Sequence, residues 1–192
     1  MTTILLARHG ETDWNRDRRW QGHADPPLNE EGRRQAEALA GELADRPLAA
    51  VYTSDLRRAR ETAEIVAKVH RLEVEIEPAL REIHVGSWEG LTAAEVEERY
   101  PDGWARFQNG ERGHDGETHE DHSLRVVEAV RRIAHEHPDE EILIVSHGGS
   151  LRAVQRAVLG LAPEGHDPRL RPIGNCVTLE IALREGRLRS VD

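Results

Sequence analysis

The 192-residue chain sets 36 Asp and Glu against 26 Lys and Arg, a formal net charge of -10. That balance speaks against a nucleic-acid backbone or an anionic membrane as partner, because both would repel the average surface. No stretch is long and apolar enough to span a bilayer, the N-terminus reaches charge too soon for a signal segment, and the expected compartment is the cytoplasm. The length suits a single domain over residues 1–192. The lone Cys176 excludes an internal disulfide, and its Cys-Val-Thr-Leu-Glu-Ile setting predicts a small buried residue on a strand.

Ile4-Leu5-Leu6-Ala7 reads as a buried parallel strand that stops at Arg8-His9-Gly10. Asn29 is placed to cap a helix whose Ala36, Leu39, Ala40 and Leu43 form one stripe, with Pro47 beyond its end. Ala49 to Tyr52 predicts a second strand, after which Ser54 opens a helix with Leu56, Ala59, Ala63 and Val66 inward. Leu72, Val74 and Ile76 alternate with glutamates as a half-exposed strand does. Thr92 and Glu95 have capping-box spacing for a helix that stops before Pro101. Residues 102–121 are polar and rich in His, and read as a long surface loop.

A helix with Val126, Val130 and Ile133 inward follows, then the strand Ile142-Leu143-Ile144-Val145, Ser146-His147-Gly148-Gly149, and a helix carrying Leu151, Val154 and Val158. Segments 176–183 and 188–191 read as a terminal hairpin. Strands alternating with amphipathic helices predict an α/β fold, a three-layer α/β/α sandwich with a mostly parallel central sheet. Ligands of such folds gather beyond the carboxyl ends of the strands, where His9 and His147 both fall.

Removing phosphate from a monoester takes fixed positive charge around the phosphoryl oxygens, an in-line nucleophile and a proton for the leaving oxygen. Arg8 and Arg58 supply forked cations, His147 a further donor, and His9 a nucleophile held neutral by the arginines beside it. Glu82 is the candidate proton donor, with Glu89 and Glu117 as other carboxylates in reach. Gly10 leaves room for close approach of phosphate to the backbone.

These blocks resemble the histidine phosphatase superfamily, also called phosphoglycerate mutase-like, over nearly the whole chain. They run Leu6-Ala-Arg-His-Gly-Glu-Thr-Asp-Trp-Asn15, Arg19-Trp-Gln-Gly22, Ser54-Asp-Leu-Arg-Arg-Ala-Arg-Glu-Thr-Ala63, Glu82 ahead of Gly86-Ser-Trp-Glu-Gly90, Gly116-Glu-Thr118 and Ser146-His-Gly-Gly149. The resemblance implies His9 as the phosphorylated residue, Arg8, Arg58 and His147 as the phosphate pocket with Gly148 beside it, and Glu82 as acid and later base. It implies contacts from Asn15, with Gln21, Gly22 and Glu117 at the pocket or its rim, and no cofactor. Thr118 stands where the family has serine and Asn29 where it has threonine or serine.

The leading expectation is therefore a metal-independent phosphatase acting on a small phosphorylated metabolite, with a homodimer as the default assembly. A cofactor-dependent phosphoglycerate mutase shares the catalytic groups, and an inactive binding module ranks last because all of those groups are kept. His114, His119 and His122 lack the His-Glu-x-x-His spacing of a metal site and read as a solvated loop. Trp20 and Trp104 fall in predicted loops and read as entrance residues.

Overall fold

The computed structural model describes residues 1–165 and 167–191. Four parallel strands, β1 (Thr2–Arg8), β2 (Leu48–Thr53), β3 (Val74–Ile76) and β4 (Glu141–Ser146), are joined by β5 (Thr178–Arg184), antiparallel to β1, and by its hairpin partner β6 (Arg187–Ser190). The six form one sheet in the order β3-β2-β4-β1-β5-β6. In chain order the helices are α1 (Asp13–Arg16), α2 (Glu30–Leu43), α3 (Arg57–His70), α4 (Ala93–Arg99), α5 (Pro101–Gln108), α6 (His119–Glu136) and α7 (Gly148–Leu159).

Both faces of the sheet are covered, which is why β1 and β4 are apolar without alternation. Ile4, Leu6, Ile142 and Ile144 pack with Val126, Val130 and Ile133 of α6 and Leu151 and Val154 of α7. Leu5, Ala7, Leu143 and Val145 pack with Leu39 and Leu43 of α2 and Ala63 and Val66 of α3. The expected three-layer α/β/α arrangement with a mostly parallel sheet is what the chain adopts. A separate cluster of Val85, Trp88 and Val96, with Trp20, Trp104 and Phe107 against it, binds the segment around α4 and α5 into a cap. No helix among the described residues is long and apolar enough to cross a membrane.

Local signals account for most boundaries. Asn29 caps α2 through Oδ1, which accepts the Gly32 amide at 2.8 Å. Thr92 and Glu95 form the expected capping box on α4. Glu185 and Gly186 at the hairpin tip have φ of 50° and 73°, the twist a two-residue antiparallel turn requires.

Four expectations are corrected. The loop expected over residues 102–121 is helical at both ends: Pro101 starts α5, where its fixed φ and missing N–H fit a first turn, and Thr118 caps α6 by accepting the Asp121 amide at 3.0 Å. Ser54 does not cap α3, whose N-cap is Leu56. Cys176 is buried but lies in a turn two residues ahead of β5, at φ 54°, with its thiol pushed up to about 12 by burial. Leu72 precedes β3, which is a short edge strand.

Leu143 is fully buried on an inner strand. Truncation to Ala is expected to cost about 2–5 kcal/mol, the range for a Leu deleted from a close-packed core, and urea unfolding measures it.

Candidate active site

The two histidine segments meet because β1 and β4 are adjacent parallel strands with Arg8 opposite Ser146. The chain leaves both strands at the same level, and the His9 amide donates to the Ser146 carbonyl at 2.9 Å. The His9 and His147 rings come to 5.2 Å between centroids. His9 Nδ1 lies 2.7 Å from the Gly10 carbonyl oxygen. A carbonyl only accepts, so Nδ1 carries the proton and the lone pair resides on Nε2. Burial first, then the charges of Arg58 and Arg8, holds His9 well below the ordinary histidine range; burial and Arg58 do the same to His147. Both rings are neutral at pH 7.

Arg58, in the first turn of α3, is fully buried. Its two terminal nitrogens donate to the Ala24 carbonyl at 2.7 Å and the Gly22 carbonyl at 2.9 Å, while Nε has no partner. Burial pushes its pKa down to about 10, so the charge persists at neutral pH. Arg8 donates to the Ile173 carbonyl at 3.2 Å, and its buried Nε is likewise without a partner. Two forked cations with open donors beside a neutral nucleophile match the shape and charge of a phosphoryl dianion.

Asn15 is oriented by its neighbours. Its Oδ1 accepts from the Thr12 amide and hydroxyl, both at 3.1 Å, which turns the amide nitrogen into the free end at the cavity. Glu82 lies between two 3-10 turns, with Oε2 accepting the Gly149 amide and Oε1 its neighbour's amide at Ile83, each at 2.9 Å. A Cβ on Gly149 would collide with that carboxylate. Gly148 opens α7 and lines the cavity.

Arg8, His9, Asn15, Gln21, Gly22, Arg58, Glu82 and Gly148 all line one cavity of about 490 Å³, whereas the fully buried His147 is not part of that lining and meets it only through its contact with His9. Gln21 holds a buried Oε1 without a partner, and Gly22, at φ 50°, contributes the carbonyl that Arg58 binds. A side chain on Gly22 would strike Glu89 and Val85.

Two expected placements differ. Glu117 does not line this cavity: it grips Arg125 through two bonds of 2.6 and 2.7 Å. Arg125 in turn donates to the carbonyls of Ala79, Arg81 and Glu82 at 2.8–2.9 Å, so Glu117 acts on Glu82 through its backbone. Gly10 matters for another reason than phosphate approach, since a Cβ there would collide with the Gly32 carbonyl of α2. Glu89, the other alternative acid, accepts the His23 amide at 2.7 Å.

The histidine-rich segment is not a solvated loop. His114 packs edge-on against Trp88, His119 meets Glu164 at 3.3 Å, and the buried His122 lies 3.1 Å from Ser150 Oγ. Trp20 lines the cavity, whereas Trp104 stacks on Phe107 within the cap cluster.

Sequence reasoning missed three residues. Ser54 Oγ lies 2.7 Å from His147 Nε2, leaving the buried Nδ1 of that ring without a partner. Asn175 donates to the His9 carbonyl at 2.7 Å, and Arg125 staples the Glu82 segment. Only the Ser54-Asp55 position directly after a strand carried any local signal; the other two act across the fold.

An arginine-lined histidine pair at the carboxyl edge of a parallel α/β sheet defines the class as a phosphoryl-handling enzyme. The family model of the histidine phosphatase superfamily (branch 1) matches residues 4–192. The chain is 41% identical over 161 residues to a metal-independent phosphoserine phosphatase of Arabidopsis thaliana, covering 80% of this chain and 67% of that protein. It is 40% identical over 157 residues to phosphoglycerate mutase-like protein 4 of the same plant, covering 79% and 68%. The solved structure of Bacillus stearothermophilus YhfR superposes with a TM-score of 0.91 at 36% identity, covering all of this chain and 96% of that one. This chain belongs to the histidine phosphatase superfamily, and it is a phosphoric monoester hydrolase of the histidine phosphatase type.

Glu117→Ala is expected to lower kcat about 100-fold by releasing Arg125 and the Glu82 backbone, a displacement on the order of 1 Å being enough for that loss. Steady-state kinetics on a variant with unchanged circular dichroism checks it. Stability should also fall with acid: the unfolded chain protonates His9, His147 and His122 near 6.5, whereas burial depresses all three in the fold, His122 to about 4. The unfolded state then binds more protons, so stability is constant above about pH 6.5 and declines below it, by about 1.4 kcal/mol per pH unit for each ring kept neutral. Urea titrations between pH 5 and 8 measure the slope.

Proposed function

We propose that the protein hydrolyses phosphate monoesters of small metabolites through a phosphohistidine on His9, without a metal ion. The observation that carries this reading is the fixed tautomer of His9: the Gly10 carbonyl holds the proton on Nδ1 and leaves the Nε2 lone pair beside the guanidinium groups of the buried Arg58 and the half-buried Arg8. Nε2 attacks phosphorus in line, the P–O ester bond breaks, and Glu82 in its acid form gives its proton to the departing alkoxide. Each Glu82 oxygen accepts only one amide, so a lone pair remains for that proton. Water then attacks the phosphohistidine, its proton returns to Glu82, and His9 and inorganic phosphate are regenerated.

Arg8, Arg58 and the Asn15 amide bind the equatorial oxygens, where charge is carried through the transition state. His147 joins them through Nδ1 when the Ser54 hydroxyl donates to Nε2, the tautomer that turns the orphaned atom into a donor. The guanidinium groups thus provide the charge that divalent cations provide elsewhere. The relative named as a metal-independent phosphoserine phosphatase supports that half of the reading.

His9→Ala is expected to abolish phosphate release from p-nitrophenyl phosphate, and rapid quench of the wild type should yield an acid-labile, base-stable phosphoramidate on His9. A phosphorylated serine, or label on His147, would overturn the assignment. Incubation of 3-phosphoglycerate with a 2,3-bisphosphoglycerate primer should give little isomer; fast isomerisation without free phosphate would make the protein a mutase. The acid limb of kcat/KM should fall below pH 6.5, because the nucleophile is depressed.

A further inference from the structure

Arginine dominates the polar side chains of the cavity wall, and arginine only donates. Arg8, Arg58 and the Asn15 amide serve the phosphoryl oxygens, and Glu82, the one carboxylate in the lining among the described residues, is engaged with the leaving oxygen in the proposed reaction. A further acceptor borders the same space and has no part in that chemistry. It is the imidazole of His122, in the first turn of α6, which is only 3% exposed and yet lines the cavity. Its tautomer is fixed by neighbours. Ser150 Oγ gives its one proton to the Arg81 carbonyl at 2.9 Å, because a carbonyl only accepts. What Ser150 presents to His122 Nε2, 3.1 Å away, is therefore a lone pair, so Nε2 carries the ring proton.

Nδ1 is then a bare acceptor. It has no partner among the described residues and is not shut off from solvent, and the space that the ring borders is the cavity. Burial pushes the pKa of His122 down to about 4 against the opposing charge of Glu82, so the acceptor persists at neutral pH. The same contacts put the ring on the leaving-group side. Ser150 follows Gly149, whose amide holds Glu82 Oε2, and Arg81 precedes Glu82, so His122 is tied to both segments that hold the acid. The departing alcohol has to lie beside Glu82 to receive its proton. An acceptor at that place is matched only by a donor on the alcohol, and leaving it unmatched in a desolvated site discriminates against esters that lack one. An arginine-rich lining favours a neutral hydroxyl over an ammonium as that donor.

We propose that His122 is a specificity-determining residue whose Nδ1 accepts a hydrogen bond from a hydroxyl of the leaving alcohol, so that the preferred substrates are esters of polyhydroxy alcohols with a free hydroxyl a few bonds from the ester oxygen. This rests on the phosphoryl end binding beside His9, as in the proposed function. One neutral hydrogen bond supplies an affinity difference of about fivefold.

Binding to the His9→Ala protein, read by calorimetry, tests this without turnover. Glycerol 3-phosphate against propyl phosphate, and 3-phosphoglycerate against 3-phosphooxypropanoate, are pairs that differ only in hydroxyl groups. At least one pair should show about a fivefold tighter Kd for the hydroxylated ester. Adding His122→Leu should bring that ratio close to one, and His122→Asn, whose Oδ1 stands near the place of Nδ1, should restore part of it. Equal affinities within both pairs would overturn the proposal. So would a His122→Leu protein that binds both members of a pair more weakly by the same factor, the mark of a ring that only braces Ser150. Tighter binding of phosphoethanolamine than of glycerol 3-phosphate, lost in His122→Leu, would replace the hydroxyl by an ammonium and overturn it as well. Phosphate release from p-nitrophenyl phosphate by the wild type reports separately on the hydrolase reading, so either conclusion can fail alone.

Discussion

Side-by-side parallel pairing of β1 and β4 is the constraint on which the site depends. Because Arg8 stands opposite Ser146, the two strands end together and deliver His9 and His147 to one point with no flexible segment between strand and ring. The pairing is held by apolar burial on both faces of the sheet, so the packing that stabilises the fold also sets the histidine geometry. The strand end, the first turn of α3 and the segment holding Glu82 then bring Arg8, Arg58 and Glu82 to a fixed pair, and the nucleophile itself sits directly after a strand of the rigid core.

The second constraint is a buried cation. Arg58 has no exposed surface, and its contacts are carbonyls and not carboxylates. Burying a charge without an ion partner is costly, and loop carbonyls offset that cost in part. What remains is an electrostatic demand for an anion, which an ester phosphate satisfies. Burial keeps His9 and His147 neutral and the Arg58 charge adds to it, so the buried guanidinium both attracts the phosphoryl group and helps preserve the lone pair that attacks it.

Support for Glu82 is arranged at a distance. Glu117 holds Arg125, Arg125 holds three consecutive-region carbonyls, and Gly149 donates to the carboxylate across a gap that admits no side chain. Asn175 plays a comparable part for His9, reaching its carbonyl from the far end of the chain. These second-layer contacts fix orientation, which matters because proton transfer and in-line attack both depend on alignment.

Residue patterns by themselves gave the sheet class, the strand-end histidines and the caps at Asn29 and Thr92, since strand period and cap chemistry are local signals, and the family resemblance picked out Arg8, His9, Arg58, Glu82 and His147 as the candidate groups. Residues 102–121 were misread because polarity and glycine content mimic a loop, whereas Pro101 and Thr118 in fact open helices, the first packing Trp104 and Phe107 on the Trp88 cluster and the second packing Val126, Val130 and Ile133 on the sheet. Glu117 resembled a pocket residue until its partner Arg125, eight positions on, was in view. Tertiary structure alone decided the Ser54–His147 and Asn175–His9 contacts, spanning 93 and 166 positions, and which arginines line the cavity beside His9. Hydrogen bonds and charge act through space, and no periodicity in a chain records which distant residues the packing of its core will bring together.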